Sequence, residues 1–139
     1  MDYSYISIYT DGSYNPKKET GGWAAIVLVD DTEELLKGRE HNSTHNRMEL
    51  LAVINAIQYV KHYYPDYQQL HIYTDSQYVV ELPTRKQKLQ NARFKTRKGT
   101  AIRNADLVKT LLRYVSEETI SLTKVRAHQK KTEERNYNR

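Results

Sequence analysis

Two stretches of the 139-residue chain repeat one idea: Ile8–Ser13 reads Ile-Tyr-Thr-Asp-Gly-Ser, and Ile72–Gln77 reads Ile-Tyr-Thr-Asp-Ser-Gln. Each is a short aromatic and β-branched run that ends in an acid, Asp11 or Asp75, with turn or capping residues directly after it. If the two runs are parallel neighbours, both carboxylates leave at the C-terminal edge of the sheet, where open α/β sheets place their ligands. Two adjacent acids repel, and a divalent cation relieves the repulsion. Taken singly, each Asp has a plainer reading as the residue that closes a turn. A third acid, Glu49, lies early in the most helical stretch of the chain, where on its own it is an anion near the positive end of a helix dipole. Together the three form an oxygen-rich site suited to Mg²⁺, and two such ions about 3.5–4 Å apart are the usual device for in-line phosphodiester hydrolysis.

Bringing three acids to one edge makes demands on the elements around them. Residues 3–10 alternate as a strand, which the turn chemistry of Gly12-Ser13 is expected to break; residues 13–20 follow as a polar loop. Gly21-Gly22 opens an apolar strand over 23–29, Asp30-Asp31 turns the chain, and 34–41 reads as a polar edge strand, completing an antiparallel meander. A helix runs from a cap at Ser43 or Thr44 to about Tyr63 and stops before Pro65. Its apolar residues surround most of the circumference, which places it in the middle of the domain. A strand over 70–74, a short helix from Ser76 to Leu82 stopped by Pro83, an irregular basic segment, a helix over 104–115 and a strand over 119–125 complete the order. The resulting β-β-β-α-β-α-α-β pattern predicts one α/β domain over residues 1–139, with a five-stranded mixed sheet of three antiparallel and two parallel strands flanked by helices. The last strand wants a covering helix, and Gln129–Arg139 is too polar to supply it. The C-terminal helix is therefore expected to be missing here, the natural chain continuing past Arg139 with an amphipathic helix that opens on an Asp.

The net charge of +5 conceals a division: residues 1–84 hold 6 basic and 12 acidic side chains, residues 85–139 hold 16 and 5. A basic half beside an acidic site suits a protein that grips polyanions and uses metal at its acids. Eight of the basic residues, from Arg85 to Arg103, stand between Thr84 and Asn104 without an acid among them. Like charges in such a run repel, so it is poorly explained as a merely solvated face. The chain has no cysteine, which excludes disulfides and thiolate metal sites and is compatible with a cytoplasmic setting. Its longest apolar run, Ala24–Val29, is far too short to span a membrane, and the start of the chain lacks a signal-peptide pattern. A monomer is expected.

Tyr-Thr-Asp-Gly-Ser at 9–13, Asn-Arg-Met-Glu-Leu at 46–50 and Thr-Asp-Ser-Gln-Tyr-Val at 74–79 resemble, in order and spacing, the type 1 ribonuclease H family. The resemblance covers essentially the whole chain. It implies two Mg²⁺ ions and endonucleolytic cutting of the RNA strand of an RNA–DNA hybrid to leave 3′-hydroxyl and 5′-phosphate ends; Mn²⁺ as a substitute is expected where one metal lacks a ligand. By the same resemblance Asp11 bridges both metals while Glu49 and Asp75 bind one each. Gly12, Asn46 and Gln77 match positions that read 2′-hydroxyls and the minor groove, a mode that recognises shape rather than sequence. Thr44 matches a contact to a DNA-strand phosphate, compatible with a capping role, and Asn15 lies in a loop that touches the hybrid. The basic run resembles the family's basic protrusion, with Arg93, Lys95, Arg97 and Lys98 as its cations and Phe94 where an aromatic residue is common. Val125-Arg126-Ala127-His128 resembles a Val-Lys-Gly-His loop whose His assists at the scissile phosphate, which makes His128 a catalytic candidate. A fourth carboxylate would follow an Asn at the start of the final helix. If Asn138 is that Asn, the acid lies beyond Arg139; Glu133 and Glu134 are expected to be exposed in the loop. Two other readings are a hybrid-binding module with impaired cleavage and a structural subdomain of a polymerase assembly.

Overall fold

The computed structural model describes residues 5–126. Five strands form one sheet in the order β3-β2-β1-β4-β5, with β1 Tyr5–Asn15, β2 Thr20–Val29, β3 Thr32–His41, β4 Gln69–Thr74 and β5 Ile120–Lys124. The first three are an antiparallel meander; β4 pairs parallel to β1, and β5 parallel to β4. Four helices connect them: α1 His45–Tyr63, α2 Gln77–Glu81, α3 Lys86–Asn91 and α4 Ala105–Val115. Among the described residues no helix is long and apolar enough to cross a membrane.

Strand alternation sorts the sheet into two faces. Ile6 and Ile8 on β1, Ala25 and Val27 on β2, and Leu70 and Ile72 on β4 are buried together with Leu50, Val53, Ile57 and Val60 of α1 and with Val108 and Leu111 of α4. The apolar spread of α1 is explained by this position: nine of its 19 residues are buried, and Glu49 is one of them. On the opposite face Tyr9 of β1 stacks on Tyr73 of β4, ring centroids 4.9 Å apart, and Tyr5 stacks on His71.

Three sequence expectations change. Gly12-Ser13 does not end β1. Both residues stay in the ladder, opposite Trp23 and Gly22, and the strand runs on to Asn15. The reason is tertiary: a Cβ on Gly12 would lie 2.6 Å from the Glu49 backbone nitrogen and 2.7 Å from the Met48 carbonyl carbon, so the glycine serves a close approach of strand to helix, not a turn. The turn comes later, where the Asn15 side-chain oxygen accepts from the Lys17 and Lys18 N–H groups at 3.0 and 3.3 Å. Gly21-Gly22 likewise lies inside β2 rather than opening it. The basic segment, expected to be irregular, contains α3, preceded by a 3-10 turn over Pro83–Arg85. Leu89 is the one buried residue of α3, too little apolar content to show a helical period.

The Gly12 contact makes a paired prediction. Gly12→Ala meets rigid helix backbone and should lower unfolding free energy by about 1–3 kcal/mol, the usual cost of overpacking. Gly21→Ala meets the flexible Met48 side chain at 2.6 Å and should cost distinctly less. Urea denaturation of both variants beside the parent measures the difference.

Candidate active site

The parallel ladder between β1 and β4 ends on the pair Thr10 and Thr74, so Asp11 and Asp75 are the next residues on adjacent strands. There the two strands part. β1 continues against β2, while Ser76 turns the chain into α2, its hydroxyl accepting from the Val79 N–H at 3.1 Å as an N-cap. Thr74 holds this corner. Its hydroxyl oxygen accepts from the Ser76 N–H at 3.1 Å, and its carbonyl accepts from the Val125 N–H at 2.9 Å.

Glu49 arrives from the opposite side. Thr44 caps α1 by accepting from the Arg47 N–H at 3.1 Å, and Glu49 follows one turn later with no exposed surface. A buried carboxylate needs donors. The Gly12 N–H donates to Oε1 at 3.2 Å, and the Thr74 hydroxyl donates to Oε2 at 3.5 Å. One carboxylate oxygen from each of Asp11, Glu49 and Asp75 lies within 4.8 Å of the others. The spacing and the hard oxygen donors fit a divalent cation.

His45 reads from sequence as one more surface or structural histidine. In the fold its Nε2 stands 3.3 Å from Glu49 Oε1, and its ring is largely exposed. The i,i+4 spacing of His45 and Glu49 on one helix is the signal that could have found it.

The other candidates are distributed around this edge. Asn46 is exposed in the first turn of α1, and Gln77 is exposed at the start of α2, where its amide donates to Glu81. Gly12 is buried beneath Glu49. Asn15 ends β1 with its side-chain oxygen engaged by the turn. Arg93, Lys95, Arg97 and Lys98 are all exposed on a small hairpin, closed by a Lys95–Ala101 bridge and a Thr96 N–H to Thr100 carbonyl bond of 2.7 Å. Phe94 faces inward instead: it packs half-buried against the core with the Lys109 ammonium 5.2 Å from its ring centroid. His128, Asn138, Glu133 and Glu134 lie outside the described residues.

Removing one donor to Glu49 should be measurable. Thr74→Val keeps the shape of the side chain but leaves Oε2 without its hydroxyl and the Ser76 N–H without its acceptor. The expected loss is about 1–3 kcal/mol of unfolding free energy, readable by thermal or denaturant melts.

The ribonuclease H family profile matches residues 3–138. The Ribonuclease H of Wolbachia sp. subsp. Drosophila simulans is 37% identical over 131 residues, covering 92% of this chain and 86% of that one. The Ribonuclease H of Caldicellulosiruptor saccharolyticus is 34% identical over 125 residues, covering 88% and 83%. Among solved structures LC9-RNase H1, described as a type 1 RNase H with the type 2 active-site motif, superposes with a TM-score of 0.74 at 25% identity; the match covers 90% of this chain and 64% of that one. The five-stranded mixed sheet, the ordered motifs that supply its three clustered carboxylates, and relatives alike over most of their length agree: the chain belongs to the ribonuclease H family of metal-dependent hydrolases.

Proposed function

We propose that this chain cuts the RNA strand of RNA–DNA hybrids endonucleolytically, by a two-metal route that leaves 3′-hydroxyl and 5′-phosphate ends. The observation that carries this reading is the convergence of Asp11, Glu49 and Asp75 within 4.8 Å at one sheet edge, with Glu49 fully buried and held by two donors. Asp11, Glu49 and Asp75 would hold the ions, Asp11 being, by the family resemblance, the acid common to both sites and Glu49 and Asp75 belonging to one each. The ions, Mg²⁺ with Mn²⁺ as a substitute, supply water activation and charge compensation at the scissile phosphate.

The chain's own groups supply recognition. Asn46 and Gln77 present exposed amides at the helix starts that flank the carboxylates, positions from which both donors and acceptors reach 2′-hydroxyls and base edges in a minor groove. Gly12 keeps the surface beside Asp11 low, and Asn15 stands farther along the same strand. At Thr44 the N-terminus of α1 has no acid in its first turn, and the neighbouring Ser43 hydroxyl is buried with no hydrogen-bond partner among the described residues. That environment favours an anion, and a DNA-strand phosphate is the anion proposed. Arg93, Lys95, Arg97 and Lys98 add sequence-independent phosphate contacts, with Phe94 rooting their hairpin in the core. His128 is proposed to handle a proton near the scissile phosphate and Asn138 to touch the substrate. The protein is proposed to act as a cytoplasmic monomer.

Asp11→Asn should abolish most cleavage at saturating Mg²⁺, on the order of 10²–10³-fold in kcat as for loss of other preorganised electrostatic groups, while hybrid binding persists. Full activity in that variant would remove the two-metal reading, and an inactive parent that still binds hybrid would favour the impaired binding module. Duplex RNA and duplex DNA should both be spared, which labelled substrates run side by side will show. Replacing Arg93, Lys95, Arg97 and Lys98 together with Ala should raise KM far more than it lowers kcat. The slope of log affinity against log salt should fall by about 0.9 for each phosphate that the variant no longer neutralises; an unchanged slope would mean that the hairpin points away from the substrate.

A further inference from the structure

Arg47 connects the edge strand and its own helix to a segment 57 residues away. Its Nε donates to Glu40 Oε1 on β3 at 2.6 Å, and its Nη1 donates to Asn104 Oδ1 at 3.2 Å. The Tyr78 hydroxyl on α2 lies beside Asn104, whose amide pulls its pKa down. The edge strand, the start of α1 and the start of α4 are thereby joined through three side chains, with Tyr78 of α2 beside them.

Asn104 is the central member. It closes the basic segment and immediately precedes α4, with its backbone in the left-handed region at φ 57 and no side-chain cap bond to its own helix. Asn tolerates that backbone better than most residues, and its amide carries an acceptor at one end and donors at the other. Oδ1 serves Arg47. Burial pushes the Tyr78 hydroxyl up from its usual range, while the neighbouring Asn104 amide and the Arg85 charge pull it down. Beside them Tyr78, Arg85, Leu89 and Ile102 line a cavity of about 180 Å³, so α2, α3 and the returning arm of the hairpin meet at this point.

The hairpin has a second root in the Ile102 N–H to Phe94 carbonyl bond of 3.0 Å and the Phe94 N–H to Leu89 carbonyl bond of 2.9 Å. Its cationic tip extends well beyond both. From Asn104 to Lys98 is six residues, up to ~20 Å of extended chain, so a tilt of roughly 10° at the root moves the tip by ~3 Å. That is comparable to the axial rise per phosphate of one strand, about 3.4 Å. Small errors at Asn104 therefore change which phosphates the cations can meet.

We propose that Glu40, Arg47, Asn104 and Tyr78 form a brace that fixes the angle of the basic hairpin against the carboxylate edge, making Arg47 and Tyr78 positioning residues for substrate grip. The inference rests on the hybrid-cleaving function proposed above. Arg47 suits the task because its planar fork reaches two acceptors in different directions, which a lysine ammonium cannot do with the same geometry. Tyr78 contributes through a single hydroxyl, so its removal is nearly isosteric.

The test uses the whole chain with Tyr78→Phe and Arg47→Lys, and Glu40→Gln as a third variant should either of those fail to fold. Each should raise KM for hybrid by about 3–10-fold, the equivalent of one net hydrogen bond, with kcat and the Mg²⁺ midpoint changed less than about twofold. Amide hydrogen exchange in the free protein should accelerate across residues 93–103 and stay unchanged in the buried turns of α1. Unchanged exchange over 93–103 overturns the brace, whatever the nuclease assay shows. Faster exchange with an unchanged KM overturns the positioning role. A parent protein that does not cleave hybrid would overturn the function proposed above, and the exchange measurement would still decide whether the brace exists.

Discussion

A side chain on Gly12 would have to displace helix backbone. Where β1 passes the first turns of α1, the helix backbone occupies the space a Cβ would need, at 2.6 Å from the Glu49 nitrogen and 2.7 Å from the Met48 carbonyl carbon. This contact sets the distance between the central strand and the central helix, and with it the position of Glu49. At that separation the Gly12 N–H reaches the Glu49 carboxylate, although the residue remains in the β1–β2 ladder. One close approach therefore delivers the third acid to the edge where the β1–β4 register has already brought Asp11 and Asp75 together.

The acids and the bases of this chain occupy different structural settings. The carboxylates sit on or beside regular elements whose positions are fixed by ladder bonds, caps and core packing, as catalytic geometry requires. The hairpin cations are exposed and make no ion pair among the salt bridges of the described residues. Screened, long-range attraction steers a polyanion to them by summed charge, and the proposed brace concerns the grip that follows. Arg47 stands between the two regimes: it is the next-but-one neighbour of Glu49, and its guanidinium reaches the foot of the hairpin.

Much of this arrangement was legible in the sequence because it depends on local patterns. The two Ile-Tyr-Thr-Asp runs exposed the paired strands and their acids, the wide apolar surface of residues 48–60 marked α1 as central, and Ser76 announced the turn into α2. The misses share a different cause. Gly12-Ser13 has turn composition, but its role is set by a helix 37 residues away. α3 is held by one buried leucine and carries no readable period. The Arg47–Asn104 bond spans 57 residues, and no single-chain pattern records it. His45 was within reach of local reasoning, since its spacing from Glu49 is one helical turn.

The strand order also has a consequence for how the protein is made. β1 lies in the middle of the sheet, yet its neighbour on one side, β2, follows at once in the chain, while β4 comes only after the whole of α1. A ribosome therefore releases the meander and α1, carrying Asp11 and Glu49 with the Gly12 contact between them, before it releases Asp75. Domains form as their segments emerge, and local pairings close ahead of distant ones. Docking of β4 then has to bring a third negative charge against two already in place, so a cation held at that edge would assist the closing step of folding by mass action.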